Sequence, residues 1–296
     1  MCSNPPEFGL SKNHRLYSYR QLTNRIRNYS RRVLKNKETI YLTGGEPTTH
    51  PDFLKLIRWI RKNFPDNEIA CLSNARMFCY EEFAKEVLKT EGLKLEIAFH
   101  GHTSALYAKI TGVPNGFEQT VQGIKNVLRY RRADHCLELR IVLLRQNYEK
   151  IDALLNFAHA NFKGLDSIIL IFPEFEGQAR DNFKRVSLTY SEIKRDIEKN
   201  IRKWSKKIDD LRLYHFPLCA LDPEFWPSTW RTLPERELAF PSSCENCLYK
   251  RFCMGVHKDY LKIVGEKEFH PLTEKISLRT SRAGDFPYHP IISVSE

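Results

Sequence analysis

Apolar residues recur along this chain with two alternating periods, which predict strands and helices in turn. Short apolar runs of the kind found in buried strands span residues 38–43, 68–73, 93–99, 137–144, 167–172 and 211–216. Stripes with helical spacing lie between them, in residues 22–33, 51–63, 80–89, 117–128, 151–158 and 193–204. Because strands alternate with helices, the sequence predicts an α/β fold on a parallel sheet, either flat or curled into an open barrel.

The pattern changes near residue 215, which predicts a domain boundary there. Pro, Trp and Cys replace the periodic segments from Pro217 to Gly255, and the tail to Glu296 is weakly patterned. A chain of 296 residues can bury one sizeable core and carry a small appendage. We therefore expect one domain over residues 1–215 and a Cys-rich metal-binding region over residues 216–296.

The turn after the first predicted strand is the best candidate for a ligand site. It reads Gly44-Gly45-Glu46-Pro47-Thr48 and leads into a helix. Two glycines let the backbone approach a ligand closely, Glu46 supplies a carboxylate acceptor, and Pro47 stiffens the turn. Further polar residues follow the other strands, where parallel α/β folds bind ligands: Ser73, Asn74, His100, His102, Asn147 and Glu174. Taken alone, the turn fits an ordinary glycine turn with a surface Glu equally well.

Charge and hydropathy narrow the classes of partner. The net charge is +11, from 47 basic and 36 acidic residues, but these residues are spread through the predicted helices. Solvated helix faces therefore explain the charge better than a nucleic-acid patch, although RNA binding stays open. No run of about 18 apolar residues and no signal-peptide pattern is visible. We expect a cytoplasmic protein without a membrane partner.

The cysteines indicate metal binding. Eight cysteines without a secretory signal argue against disulfides. Cys244, Cys247 and Cys253 are spaced C-x2-C-x5-C, and Cys219 lies upstream. Four soft thiolates suit tetrahedral Zn²⁺ or an iron–sulfur cluster. The other internal cysteines read as packing residues: Cys71, Cys79 and Cys136.

The glycine-rich turn resembles the GGEP motif of the radical S-adenosylmethionine (SAM) enzymes. The match extends over Tyr41 to Phe53, over Phe99 to Ile124, and over Phe216 to Cys253, and it is nearest to the His-Xaa-Ser system radical SAM maturases. This resemblance implies a partial, open parallel β/α barrel and a cluster-dependent cleavage of SAM to a 5′-deoxyadenosyl radical. It further implies a peptide or protein substrate and an electron donor such as a flavodoxin or ferredoxin.

The resemblance also implies roles for individual residues. The SAM-binding positions would be Gly44, Gly45, Glu46, Pro47, Thr48, Ser73, Asn74 and Asn147. The glycines and Glu46 would hold the SAM amino group, and Ser73, Asn74 and Asn147 would contact its ribose or carboxylate. The maturases commonly carry an auxiliary [4Fe–4S] cluster near the C-terminal cysteines, which favours that cluster over Zn²⁺ at Cys219, Cys244, Cys247 and Cys253.

The chain departs from the family at the cysteines that hold the catalytic [4Fe–4S] cluster. The expected C-x3-C-x2-C motif is missing, and Cys2 is the only cysteine before residue 71. The start, Met1-Cys2-Ser3-Asn4-Pro5-Pro6, resembles the segment just after the second cysteine of that motif. We therefore expect Cys2 to be the third ligand, with the first strand and two ligands missing upstream. On this interpretation the chain as printed is inactive or depends on the missing residues, because one thiolate at a terminus does not fix a cluster.

A second hypothesis belongs to another class of protein. The chain would be a non-catalytic binding module whose fold is stabilised by a metal bound at its cysteines. Its basic surface would bind RNA or an acidic peptide. SAM binding separates the two hypotheses, because only the enzyme requires it.

Overall fold

The computed structural model of the protein describes residues 16–33, 38–281 and 288–295. Within this part, seven strands form one parallel sheet in the order β1-β2-β3-β4-β5-β6-β7. They are β1 (Ile40–Leu42), β2 (Ile69–Ser73), β3 (Leu93–Ala98), β4 (Cys136–Val142), β5 (Ser167–Ile171), β6 (Leu211–Tyr214) and β7 (Thr229–Trp230). The strand order follows the chain order, as in β/α barrels and unlike doubly wound sheets, whose order reverses at a switch point. The predicted α/β class with a parallel sheet is confirmed.

Ten helices are present in the described residues. They are α1 (Tyr19–Val33), α2 (Phe53–Asn63), α3 (Glu81–Leu88), α4 (Ser104–Thr111), α5 (Gly116–Tyr130), α6 (Ile151–Asn161), α7 (Gly177–Asp181), α8 (Phe183–Val186), α9 (Tyr190–Trp204) and α10 (Lys258–Val264). Six of them lie where the apolar stripes predicted helices. Helix α4 was not predicted, because its eight residues mix apolar and polar positions without a clear stripe. No helix of the described residues combines the length and the apolar character that crossing a membrane requires.

Four short strands after β7 form two small antiparallel pairs. Strands β8 (Leu238–Ala239) and β9 (Val256–His257) make one pair, and β10 (Ser277–Thr280) and β11 (Ile291–Ser295) make the other. The weak sequence pattern after residue 215 gave no signal for them. Short helical turns precede β7 and β8 and connect β8 to β9, in keeping with the Pro-rich composition of this region.

The described chain divides into two compact units. In the described part of the chain, the N-terminal unit comprises residues 16–33, 38–140 and 157–166. Its core contains the apolar face of α2, and a cluster of aromatic rings formed by Phe99, Phe117, Phe157 and Phe162. Rings at these centroid distances of 5.5 to 6.1 Å pack in offset and edge-to-face arrangements that favour their quadrupoles.

The C-terminal unit comprises, among the described residues, 141–156, 167–281 and 288–295. Its core is organised around Phe172, whose ring stacks on Tyr190 at a centroid distance of 3.7 Å and meets Phe216 and Tyr260 edge-on. Helix α9 begins with a capping box, in which Thr189 and Glu192 each bond the other's backbone N–H. The predicted boundary at residue 215 stays a prediction.

Candidate functional site

Glu46 links the carboxyl ends of β1 and β2. Its Oε1 accepts hydrogen bonds from Ser73 Oγ (2.7 Å) and Thr48 Oγ1 (2.6 Å), and its Oε2 accepts one from the backbone N–H of Asn74 (2.7 Å). The carboxylate therefore points towards the end of β2 and is not a loose surface group. A fourth donor, the backbone N–H of Thr48, bonds Oε1 at 3.3 Å. These four donors fix the carboxylate, and Oε2 keeps a lone pair available for a further donor.

Gly44 and Gly45, the two residues before Glu46, need to be glycine for different reasons. Gly44 has φ of +141°, a conformation that other residues rarely adopt. Gly45 lies outside that region, and a Cβ built on it meets no atom within 4 Å. The fold alone therefore explains Gly44 but not Gly45. Open space at Gly45 is what a ligand passing close to the backbone would use.

Helix α5 holds the loop after β2 in place. Thr120 Oγ1 donates to the backbone oxygen of Asn74 (2.9 Å), and Tyr107 bonds the same hydroxyl at 2.8 Å. A Cβ on Gly123 would lie 2.0 Å from the backbone oxygen of Ala75, so only glycine allows this close approach. Ala75 itself has φ of +59°, in the left-handed region. The position of Asn74 is thus fixed by a neighbouring helix as well as by Glu46.

Pro47 and Thr48 begin a short helical turn that Glu46 caps. Glu46 accepts from the backbone N–H of Thr48 at 3.3 Å, and Thr48 is buried. Proline at the first position of such a turn needs no N–H partner. The turn therefore fixes the Glu46 backbone, and five of the predicted SAM-binding residues, Gly44 to Thr48, lie together beside Ser73 and Asn74.

Asn147 lies in the C-terminal unit and is fully buried. Its Oδ1 accepts from the backbone N–H of Leu144 (2.7 Å), and its Nδ2 donates to the backbone oxygen of Val142 (3.0 Å). These bonds close the turn after β4, so the side chain has a local structural role. Its predicted contact with SAM stays a prediction.

His100 and His102 follow β3, where the strand-end argument placed them. His100 is buried, and its burial lowers the pKa of the imidazole to about 4. The ring is therefore neutral at physiological pH.

A charged cluster on β3 and β4 was missed by the sequence analysis. Lys94 Nζ lies 2.8 Å from Glu138 Oε1, and Arg140 Nη2 lies 2.6 Å from Glu96 Oε1. The sheet register pairs Glu96 with Glu138, so all four side chains share one face. Burial raises the pKa of Glu96, and Arg140 offsets part of that effect. The sequence signal for this cluster was a pair of opposite charges two positions apart in each strand: Lys94 and Glu96 in β3, and Glu138 and Arg140 in β4.

The predicted cysteine site brings its four internal members to one pocket. Cys219, Cys244, Cys247 and Cys253 all line it, together with Lys250 and His270 among others. The Cys247 backbone N–H donates to the backbone oxygen of Cys244 at 3.2 Å, which is the tight turn that C-x2-C spacing predicts. All seven described cysteines are free of disulfides. Cys2 lies outside the described residues.

The cysteine sulfur atoms line a mostly apolar pocket, and no three of them lie within 4.8 Å of one another. Two backbone N–H groups, from Leu218 and Gly255, donate to Cys253 Sγ at 3.4 Å each. Burial raises the pKa of the Cys219 thiol to about 12. Among the described residues, only one group of three or more His, Cys, Asp or Glu ligand atoms lies within a mutual 4.8 Å, and it contains no cysteine.

That group is Glu176, His257 and Asp259 in the C-terminal unit. Burial raises the pKa of the Glu176 carboxyl although His257 opposes the effect. The sequence analysis missed all three residues, because their approach depends on packing between segments about 80 residues apart. Glu174, two residues before Glu176, was the nearest sequence signal.

A glycine-lined, carboxylate-bearing turn at a strand end lies where parallel α/β folds bind ligands. A family model described as the radical SAM superfamily matches residues 1–158. The match covers more than half of the chain, and the chain belongs to the radical SAM superfamily. The resemblance to that superfamily is confirmed.

Curated relatives are similar over part of their length. Proteins named probable GTP 3′,8-cyclase from Sulfurisphaera tokodaii and Metallosphaera sedula are each 28% identical, over 179 and 180 residues, covering 60% of this chain and 52% of each relative. One from Saccharolobus islandicus is 28% identical over 188 residues, covering 62% of this chain and 56% of that protein. The chain thus spans about half the length of the curated relatives it matches.

A solved structure with a related description is a radical SAM methyltransferase from Sphaerobacter thermophilus. It has 14% sequence identity and a TM-score of 0.46, and the match covers 67% of this chain and 57% of the other.

Proposed function

We propose that this protein binds SAM at the Glu46 turn and uses it in a radical modification of a peptide, as the maturases it resembles do. The observation that carries the SAM site is the Glu46 carboxylate, held by Thr48, Ser73 and Asn74 at the ends of two neighbouring strands. An ammonium group needs a fixed anion with a free lone pair, and Glu46 Oε2 provides one.

The surroundings of Glu46 fit the methionine end of SAM. The amino group would bind Glu46 Oε2, and the space beside Gly45 would admit the ligand next to the backbone. When bound, a [4Fe–4S] cluster would supply the electron for reductive cleavage of SAM, and the radical chemistry would belong to the cofactors. The residues of this chain would bind and orient SAM, and its predicted cluster ligand is Cys2.

The SAM site can be tested with the two glycines. Gly45→Ala should leave the free energy of unfolding unchanged, because the added methyl group meets open space, but it should weaken SAM binding. Gly44→Ala should lower the free energy of unfolding by about 1–3 kcal/mol, because alanine is strained at its φ. Equilibrium dialysis with labelled SAM on anaerobically reconstituted protein measures the first effect, and urea unfolding measures the second. Full SAM affinity in Gly45→Ala would contradict the proposal.

A second candidate substrate is a purine nucleoside triphosphate, since the curated relatives are named GTP 3′,8-cyclases. Lys94 and Arg140 each lie beside Glu96 and Glu138, so the charged cluster on β3 and β4 offers no excess of positive charge to a triphosphate.

The two substrates can be distinguished by what stimulates 5′-deoxyadenosine formation. A form of the protein that carries the upstream cluster ligands implied by the resemblance is reconstituted and assayed with dithionite and SAM, in the presence of GTP or of synthetic peptides that contain His-Xaa-Ser repeats. We expect the peptides to raise the yield above the SAM-only background. Stimulation by GTP alone would overturn the peptide substrate and leave the SAM site standing.

The cysteine pocket of the C-terminal unit supports an auxiliary [4Fe–4S] cluster better than Zn²⁺. Tetrahedral Zn–S bonds of about 2.3 Å place sulfur atoms roughly 3.8 Å apart. No three of the ligand atoms of Cys219, Cys244, Cys247 and Cys253 lie within 4.8 Å of one another. A cluster suits a wider arrangement, because each thiolate binds a different iron.

Iron, sulfide and zinc analysis of anaerobically purified protein tests this assignment. We expect Cys244→Ser with Cys247→Ser to remove about four iron and four sulfide per chain. Cys79→Ser serves as a control, because Cys79 lies in the other unit. Stoichiometric zinc with no loss of iron in the double variant would contradict the cluster.

A further inference from the structure

Glu176, His257 and Asp259 form a compact group of different ligand types in the C-terminal unit. Glu176 follows the carboxyl end of β5, His257 ends β9, and Asp259 lies in the first turn of α10. One ligand atom from each lies within 4.8 Å of the other two. The Nε2 atom of His257 is 3.3 Å from Glu176 Oε1.

The burial of His257 is what distinguishes this group from an ordinary acidic surface. Its side chain is only 5% exposed, and its Nε2 atom has no hydrogen-bond partner among the described residues. A buried nitrogen without a partner is costly, and native proteins rarely retain one without a reason. Here the ring lies beside two carboxylates, the two other members of the group.

The charges of the group also suit a cation. Asp259 is mostly buried, and its Oδ1 lies 3.0 Å from Lys262 Nζ. The Lys262 side chain itself is largely exposed. Such a pair at the surface is weak and is readily exchanged for a closer cation. Glu176 is half-exposed, which leaves the group a path to solvent.

We infer that Glu176, His257 and Asp259 bind a first-row divalent metal ion, separate from the cysteine pocket. One imidazole nitrogen and two carboxylate oxygens are a donor set of borderline hardness, which suits Zn²⁺, Co²⁺ or Fe²⁺. Three protein ligands leave coordination positions open, as in catalytic rather than structural metal sites. The ion therefore has room for an oxygen ligand from a substrate, such as a carboxylate.

The other ring nitrogen of His257 already has a backbone partner. Nδ1 accepts a long hydrogen bond, 3.3 Å, from the backbone N–H of Asp259. The ring atom left to bind an ion is therefore Nε2, which lies 3.3 Å from Glu176 Oε1.

Cobalt is the probe that separates this site from the thiols. A Co²⁺ ion bound by nitrogen and oxygen ligands has weak visible bands, whereas a thiolate-bound Co²⁺ adds intense charge-transfer absorption in the near ultraviolet. We expect one equivalent of Co²⁺ with weak bands alone in the Cys244→Ser, Cys247→Ser protein. Only thiolate-type absorption in the unaltered protein, and none of the weak bands in the double variant, would overturn the inference.

The ligands are then tested one at a time in that background. Glu176→Gln keeps the size of the side chain, and His257→Asn keeps a residue that caps helices well while removing Nε2. Mutation of a residue that only supports a metal ligand lowers metal affinity by roughly 10–100-fold. Because these substitutions remove a ligand itself, each should lower the Co²⁺ affinity by more than that. Glu237→Gln removes a nearby negative charge but no ligand, and should change the affinity little. Equal losses in all three variants would show a diffuse electrostatic effect and overturn the site.

Discussion

The backbone N–H of Asn74 donates a 2.7 Å hydrogen bond to Glu46 Oε2, so the turn after β1 is tied directly to the end of β2. The same carboxylate accepts from Ser73 and Thr48 through its other oxygen. Glu46 therefore has two tasks in one position. It joins neighbouring strand ends, and it presents a fixed negative charge at the edge of the sheet where ligands bind.

Glu46→Gln should lower the free energy of unfolding by about 1–3 kcal/mol, the range for loss of hydrogen bonds to a charged acceptor. The glutamine amide turns one acceptor oxygen into a donor, so at least one of the Thr48, Ser73 and Asn74 donors loses its partner. Urea unfolding of the two proteins measures the difference. Labelled SAM retention on the same samples should fall as well, since the charge that faces the amino group is lost.

Glu68→Gln is the matched control for Glu46. Glu68 precedes β2, and its Oε2 accepts an exposed 3.1 Å bond from Thr39. We expect a change in stability near zero there. Equal destabilisation by the two substitutions would show that the network around Glu46 has no special role.

Thr189→Ala should destabilise the protein by about 1 kcal/mol, because the side chain caps the first turn of α9. The Thr189 hydroxyl accepts from the Glu192 backbone N–H at 3.2 Å, and the alanine leaves that donor exposed at the helix end. Thermal and urea unfolding measure the loss. Thr189→Ser keeps the oxygen and should stay within a few tenths of a kcal/mol of the original protein; a full loss in the serine variant would contradict a capping role.

The capping box of α9 shows what the sequence can predict. Thr189 and Glu192 are three residues apart, and both of their bonds are local, so the motif alone specifies the geometry. The same holds for the strand–helix alternation and for the turn at Gly44 to Thr48, whose residues are contiguous. The bonds from Glu46 to Ser73 and Asn74 follow in outline from strand adjacency, because parallel neighbours bring their carboxyl ends together.

The features that escaped prediction depend on register or on distant packing. Glu96 faces Glu138 only because β3 and β4 pair in one register, and a shift by one residue would send the side chains to opposite faces. His257 meets Glu176 through a fold that joins segments about 80 residues apart. The pattern of apolar residues carries no information on either contact.

Acid should destabilise the protein through His100. Its folded pKa of about 4 lies below the ordinary value of 6.5, so the unfolded chain binds more protons between these limits. Stability that is present above pH 6.5 is therefore lost as the pH falls towards 4, by up to about 3 kcal/mol for this shift. Urea unfolding over this range should show a steeper loss in the original protein than in His100→Gln, whose side chain does not titrate. Parallel profiles in the two proteins would contradict a buried neutral His100.

Glu96 should have the opposite pH dependence, which separates it from His100 in the same experiment. Burial raises its folded pKa above the ordinary value of 4.5, with Arg140 and Lys94 offsetting part of the effect, so the folded protein binds the proton more readily. Stability from this group is therefore present below pH 4.5 and falls as the pH rises through the folded pKa. Glu96→Gln should remove that fall, whereas Glu82→Gln on the exposed face of α3 should leave it unchanged. If the stability of Glu96→Gln relative to the original protein is flat with pH, or rises on acidification, Glu96 is ionised at least as easily in the fold as in the unfolded chain, which would contradict the prediction.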